Sequence, residues 1–225
     1  MIRRPALASH SLPEPAVGQL DPVLASGGLI VGQEGRRPLV VRLFRARPTR
    51  VGLFAAGYVA GVLAHRALAV GARVVVVTDR PSLWTSLVRA APVGPAWVNV
   101  LPTNTPVPTA GTLLRPVLVI DDAGPAGDPR REVGPWQTAV TLRPYLTPQT
   151  VGSLRSYDLI VLQRTAVEAV GPVRAAFALP AEATQWLPRM PDDTIALAEP
   201  GRVRFANLAV TQVEQMAFGP PTRRD

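Results

Sequence analysis

Cysteine is absent from the 225 residues, so the chain can build no disulfide framework, zinc ribbon or thiol nucleophile. Lysine is absent as well. All 24 basic residues are arginine, which removes every mechanism that needs an ammonium group. The two histidines, His10 and His65, are distant in sequence, and a zinc site would need mostly carboxylates beside them; each reads as a surface or hydrogen-bonded residue, and no metal or cofactor is expected. Aromatic residues make up only 5% and are not interleaved with arginine, which argues against a base-stacking platform. Long apolar runs are missing too. Met1 to Leu20 lacks the continuous apolar stretch of a secretory leader. Val51 to Ala64, VGLFAAGYVAGVLA, is short of the roughly 18 to 20 residues that cross a bilayer, so no stable membrane span is expected.

What is present is ample core material, 47% hydrophobic, and a net charge of +8. That charge permits contact with nucleic acid, acidic lipid or an acidic protein without choosing among them. The arginines are scattered in short pairs such as Arg36-Arg37 and Arg130-Arg131, and most read as solvated surface.

Residues 1–37 carry Pro5, Pro13, Pro15 and Pro22 and read as an extended N-terminal arm, with at most a short element at Gly28 to Val31. Residues 38–219 read as one domain and 220–225 as a tail. Leu39 to Arg45, Arg50 to Ala55, Arg73 to Thr78, Trp97 to Leu101, Pro116 to Asp122, Trp136 to Leu142 and Asp158 to Gln163 have the β-branched, apolar character of strands. Between them, Val62 to Val70, the stretch from Ser82 to Arg89, Thr147 to Arg155 and Ala181 to Leu187 suit helices, and Gly71 suits a helix end. A further helix starting at Thr165 is expected to break at Gly171-Pro172, and Thr194 to Ala198 should form a hairpin with Arg202 to Ala206 around Pro200-Gly201. Strands alternating with helices predict an α/β fold: a mainly parallel sheet with helices on both faces and a C-terminal β-hairpin.

Two segments carry a pattern with chemical meaning. A strand, the loop G-x-x-x-x-G-K-[ST] and a helix together cradle phosphates through loop amides, a lysine and a magnesium-binding hydroxyl. Here RVGLFA runs into Ala56-Gly57-Tyr58-Val59-Ala60-Gly61-Val62-Leu63. The glycine-bearing turn expected over Ala56 to Gly61 is either an ordinary turn between strand and helix or, with Gly61 aligned to the second motif glycine, a degenerate form of that loop with Ala56 at the first position, Val62 at the lysine and Leu63 at the hydroxyl. The second segment, VLVIDD, ends an apolar strand in Asp121 and Asp122, as does a strand that holds magnesium beside such a loop. The plainer alternative is a strand ending at a solvated Asp-Asp turn. With no metal to hold, Asp121→Asn and Asp122→Asn are each expected to cost at most about 0.5 kcal/mol.

The order of strand, glycine turn, helix, four-valine strand, acidic strand, DLIVLQR and an LP-x6-LP-x2-P segment before a hairpin resembles the motor domain of FtsK/HerA-like ATPases, which include the coupling ATPases of actinobacterial type VII secretion. The resemblance covers about residues 38 to 219 and implies a RecA-like, P-loop NTPase-like fold, ring or stacked assembly, and work on DNA or exported protein. With Val62 and Leu63 at the chemical positions, it implies a non-hydrolysing pseudo-ATPase, not an enzyme: a cytoplasmic scaffold or accessory subunit with a protein partner, membrane-associated only through that partner. A nucleic-acid-associated protein using its basic surface, and a membrane-attached secretion component using Val51 to Ala64, are the alternatives.

Overall fold

The structure, a computed structural model, describes residues 28–91, 93–124 and 131–221. Ten strands form one mixed sheet in the order β2-β1-β10-β9-β8-β3-β7-β6-β4-β5. They are β1 (Leu29–Glu34), β2 (Arg37–Val41), β3 (Thr49–Phe54), β4 (Arg73–Val77), β5 (Val98–Leu101), β6 (Val117–Asp121), β7 (Gln137–Arg143), β8 (Leu159–Leu162), β9 (Thr194–Glu199) and β10 (Arg202–Asn207). From β8 to β5 all neighbours are parallel. From β8 outward through β9, β10, β1 and β2 all are antiparallel. The α/β class and the C-terminal hairpin are therefore as the sequence predicts.

The parallel strands are apolar on both faces because both are covered. One face packs α1 (Gly57–Ala69) and α2 (Thr85–Arg89) over Val51, Leu53, Val74, Val76, Leu118 and Ile120. The other packs α4 (Val167–Phe177) and the short α3 (Pro148–Val151) over Phe54, Ile160 and Leu162. Where that second face reaches β4 and β6, no helix among the described residues covers it; Val107, from the proline-rich connection before β6, packs on Val75, Val77, Val117 and Val119 instead. α5 (Ala181–Thr184) leads into the hairpin region, and α6 (Gln212–Phe218) packs back against α1 and α2. Gly71, at φ 84°, ends α1 as expected, its amide bonding the Leu68 carbonyl at 3.0 Å.

Two expectations change. Residues 29–37, placed in an arm by the sequence reading, form β1 and the start of β2, because Leu29, Val31, Leu39 and Val41 are buried and extend the core. The rest of the expected arm, residues 1–27, lies outside the described residues, as do residues 222–225 of the tail. Pro172 does not break its helix; α4 runs through it, and the burial of Ala169, Val173 and Phe177 against the sheet offsets the lost backbone bond, a cost of about 3 kcal/mol. Val51 to Ala64 divides between β3 and α1, and among the described residues no helix is long and apolar enough to cross a membrane.

Candidate functional site

Open α/β sheets bind ligands beyond the carboxyl ends of strands where the strand order reverses. The chain steps from β3 across two strands to β4, works back through β6 and β7, then passes β3 to reach β8. At the carboxyl ends of β3 and β6 lies a cleft of about 420 Å³, lined by Ala55, Ala56, Gly57 and Tyr58 from the strand-helix junction and by Asp122 from the acidic strand. The structure thus brings both halves of the sequence pattern to one place. It does not shape them as the pattern predicts.

The glycine-bearing turn over Ala56 to Gly61 is not there. Only Ala55 and Ala56 separate β3 from α1, which begins at Gly57, so Gly57 and Gly61 are helical residues, not loop residues. A phosphate loop keeps its amides turned toward an anion, whereas here Val59, Ala60, Gly61 and Val62 bury apolar surface, which a helix packed on the sheet does best. Val62 is fully buried and Leu63 partly so, both packed in the helix, so neither offers a charge or an oxygen to the cleft. Gly61 meets a different constraint. A Cβ there would come within 2.8 Å of the Phe218 ring, which closes over the helix from α6. At Gly57 a Cβ would meet nothing within 4 Å.

The start of α1 is held by side chains. Gln163, just past β8, accepts the Ala56 amide on Oε1 at 2.7 Å and donates from Nε2 to the Tyr58 hydroxyl at 2.7 Å and to the Asp192 carbonyl at 2.8 Å. Tyr58 in turn donates to the same carbonyl. Farther along α1, Arg66 donates through Nε to Glu214 Oε1 at 2.6 Å and through NH2 to Oε2 at 2.9 Å, joining α6 to α1 through a nearly buried ion pair. Burial acts to raise the Glu214 pKa, but Arg66 together with Thr211 outweighs it and holds the carboxyl below its ordinary range.

The acidic strand end is not a solvated turn: Asp121 and Asp122 are 4% and 3% exposed. Being adjacent, they face opposite sides of the sheet. Asp122 Oδ2 accepts from Thr78 Oγ1 at 3.0 Å and Trp84 Nε1 at 2.9 Å, and Oδ1 accepts from Arg80 NH2 at 2.6 Å. Both oxygens are engaged, and a guanidinium stands against the carboxylate where a divalent cation would have to bind. Asp121 accepts the Ala123 amide at 3.2 Å and lies 3.9 Å from both Arg131 and Arg143. Among the described residues no group of three or more His, Cys, Asp or Glu could hold a metal ion.

Sequence reasoning did not find the partners of Asp122, nor Gln163, nor α6. The last had a readable signal, since Thr211 and Glu214 have the S/T-x-x-E spacing and form a capping box. Of the other residues weighed, His65 bonds the Ala90 carbonyl at 3.1 Å, and Asp193 accepts from Thr194 and Asn207 at the hairpin, while His10 lies outside the described residues. Trp84 is buried, but Trp186 is 57% exposed. No protein-family model matches the chain, and no curated protein matches it.

Proposed function

We propose that the protein is a non-hydrolysing, ATPase-like scaffold or accessory subunit, with a type VII secretion apparatus as the setting that the resemblance implies. The observation that carries this reading is the state of the cleft at the ends of β3 and β6: the junction passes straight into α1 without a loop for phosphates, and Asp122 is bound to Arg80, Thr78 and Trp84. The two strand ends meet where an α/β sheet binds ligands, and apolar packing and an internal ion pair stand there in place of groups for phosphate and magnesium. A fold that retains this architecture without the chemistry serves through its surfaces. Calorimetric titration with ATP and magnesium checks the reading; the expected result is no magnesium-dependent binding, and clear magnesium-dependent heat with turnover of ATP overturns it.

A further inference from the structure

At the other end of β3, the connection Arg42–Pro48 carries arginines at 42, 45 and 47, and Arg50 follows in the strand. Its apolar residues fix it in place. Leu43 and Phe44 are buried, the Leu43 carbonyl accepts from Thr138 Oγ1 at 2.8 Å, and the Arg45 carbonyl accepts the Trp136 amide at 2.7 Å. The alternating arginines are left at a cleft of about 330 Å³, lined also by Thr49, Tyr157, Asp158, Glu199 and Pro200.

The charges in this cleft do not cancel. Asp158 accepts the Arg50 amide at 2.8 Å and lies 4.0 Å from Arg45, which is itself held by a bond from Nε to Thr49 Oγ1 at 3.0 Å. This carboxylate is engaged in orienting its neighbours. Arg42 and Arg47 are exposed, and among the described residues neither has a carboxylate within 4.0 Å. Glu199 is the other acid of the cleft; it stands opposite Arg202 in the β9–β10 register and makes no ion pair within 4.0 Å among the described residues, so three arginines face two carboxylates. Two guanidiniums with free forks, on a connection whose backbone is already fixed, suit bidentate recognition of phosphate oxygens, with only the side chains left to order. The lining aromatic, Tyr157, is buried, so no ring is offered for a nucleobase to stack on.

We infer that this cleft binds a phosphate group, held between Arg42 and Arg47, from a soluble polyphosphate or from the headgroup of an anionic lipid. The site lies at the opposite end of β3 from the proposed scaffold's closed nucleotide-like cleft, so the two readings stand or fall separately.

The test uses the full chain and two probes, pyrophosphate in calorimetry and phosphatidylglycerol vesicles in co-sedimentation. Arg42→Ala/Arg47→Ala is compared with Arg174→Ala/Arg189→Ala, which removes the same charge from exposed positions elsewhere. Binding of either probe that weakens about tenfold or more in the first variant and changes little in the second supports the site. Tightening by Glu199→Gln adds to that support, and the probe that binds identifies the source of the phosphate. Melting curves matching the wild type show that both variants are folded. No binding of either probe, or equal weakening in both double variants, overturns the inference. Arginine-dependent binding of duplex DNA alone overturns it in favour of a nucleic-acid surface.

Discussion

The β3-α1 junction and the end of β6 are the two halves of one sequence pattern, and they depart from it in different ways. At the junction the positions that the pattern gives to lysine and hydroxyl hold Val62 and Leu63, and the expected loop is helix from Gly57 onward. At the end of β6 the acids stand where the pattern expects them, but Arg80, Thr78 and Trp84 converge on Asp122. Residues that differ from the pattern go with a different local structure, whereas residues that match it take their meaning from their partners. Identity alone therefore does not carry a site's chemistry.

The largest effect should come from the ion pair that ties α6 across α1. Glu214→Ala leaves the nearly buried Arg66 with backbone carbonyls such as that of Leu208 but no carboxylate, and should cost roughly 3 kcal/mol, read by denaturant unfolding. Because the folded-state pKa of Glu214 is lowered, its contribution is fully present above the unfolded value near 4.5 and is lost as pH falls through the lower folded value. Wild type should thus lose stability in that acid window more steeply than Glu214→Ala, and parallel pH profiles would sink the assignment.

Next is Gly61→Val, which drives a side chain into the Phe218 ring and should cost about 1 to 3 kcal/mol with a lower soluble yield. Pairing it with Phe218→Ala sharpens the comparison. If crowding by α6 is the cause, the double variant recovers part of the loss of the Gly61 change; if the glycine serves a loop, it recovers nothing.

Asp122→Asn keeps the shape but weakens three bonds to a buried carboxylate, so about 1 to 2 kcal/mol is expected in thermal melts. This exceeds the cost at a solvated turn, and melting unchanged from wild type would mean that the charge of Asp122 adds nothing to its bonds with Arg80, Thr78 and Trp84.

The smallest change, and the one of opposite sign, is Gly57→Ala. A Cβ there meets nothing, and alanine is the better helix former, so the melting temperature should hold or rise, by at most about 1 kcal/mol in stability. A glycine needed to shape a phosphate loop would not tolerate this.

The sheet was legible because its strands are short apolar runs, and runs such as RVVVV and LIVL hold the two-faced burial that a parallel sheet demands. At Ala56 to Gly61 the sequence alone does not distinguish turn from helix, because glycine permits both; what decides between them is the burial of Val59, Ala60 and Val62 once strands distant in sequence have come together. Local composition likewise hid β1, whose glycine and polar residues resemble a linker until Leu29 and Val31 find the core. By itself the sequence determined the α/β alternation, the hairpin at Pro200-Gly201, the end of α1 at Gly71 and the absence of lysine chemistry, because each depends on residue type or on periodicity within a few residues. Only the tertiary structure decided that Asp122 faces Arg80, that Gln163 holds the start of α1 and that Phe218 closes over Gly61, because those partners stand 42, 107 and 157 positions apart in the chain and meet only when the sheet has formed.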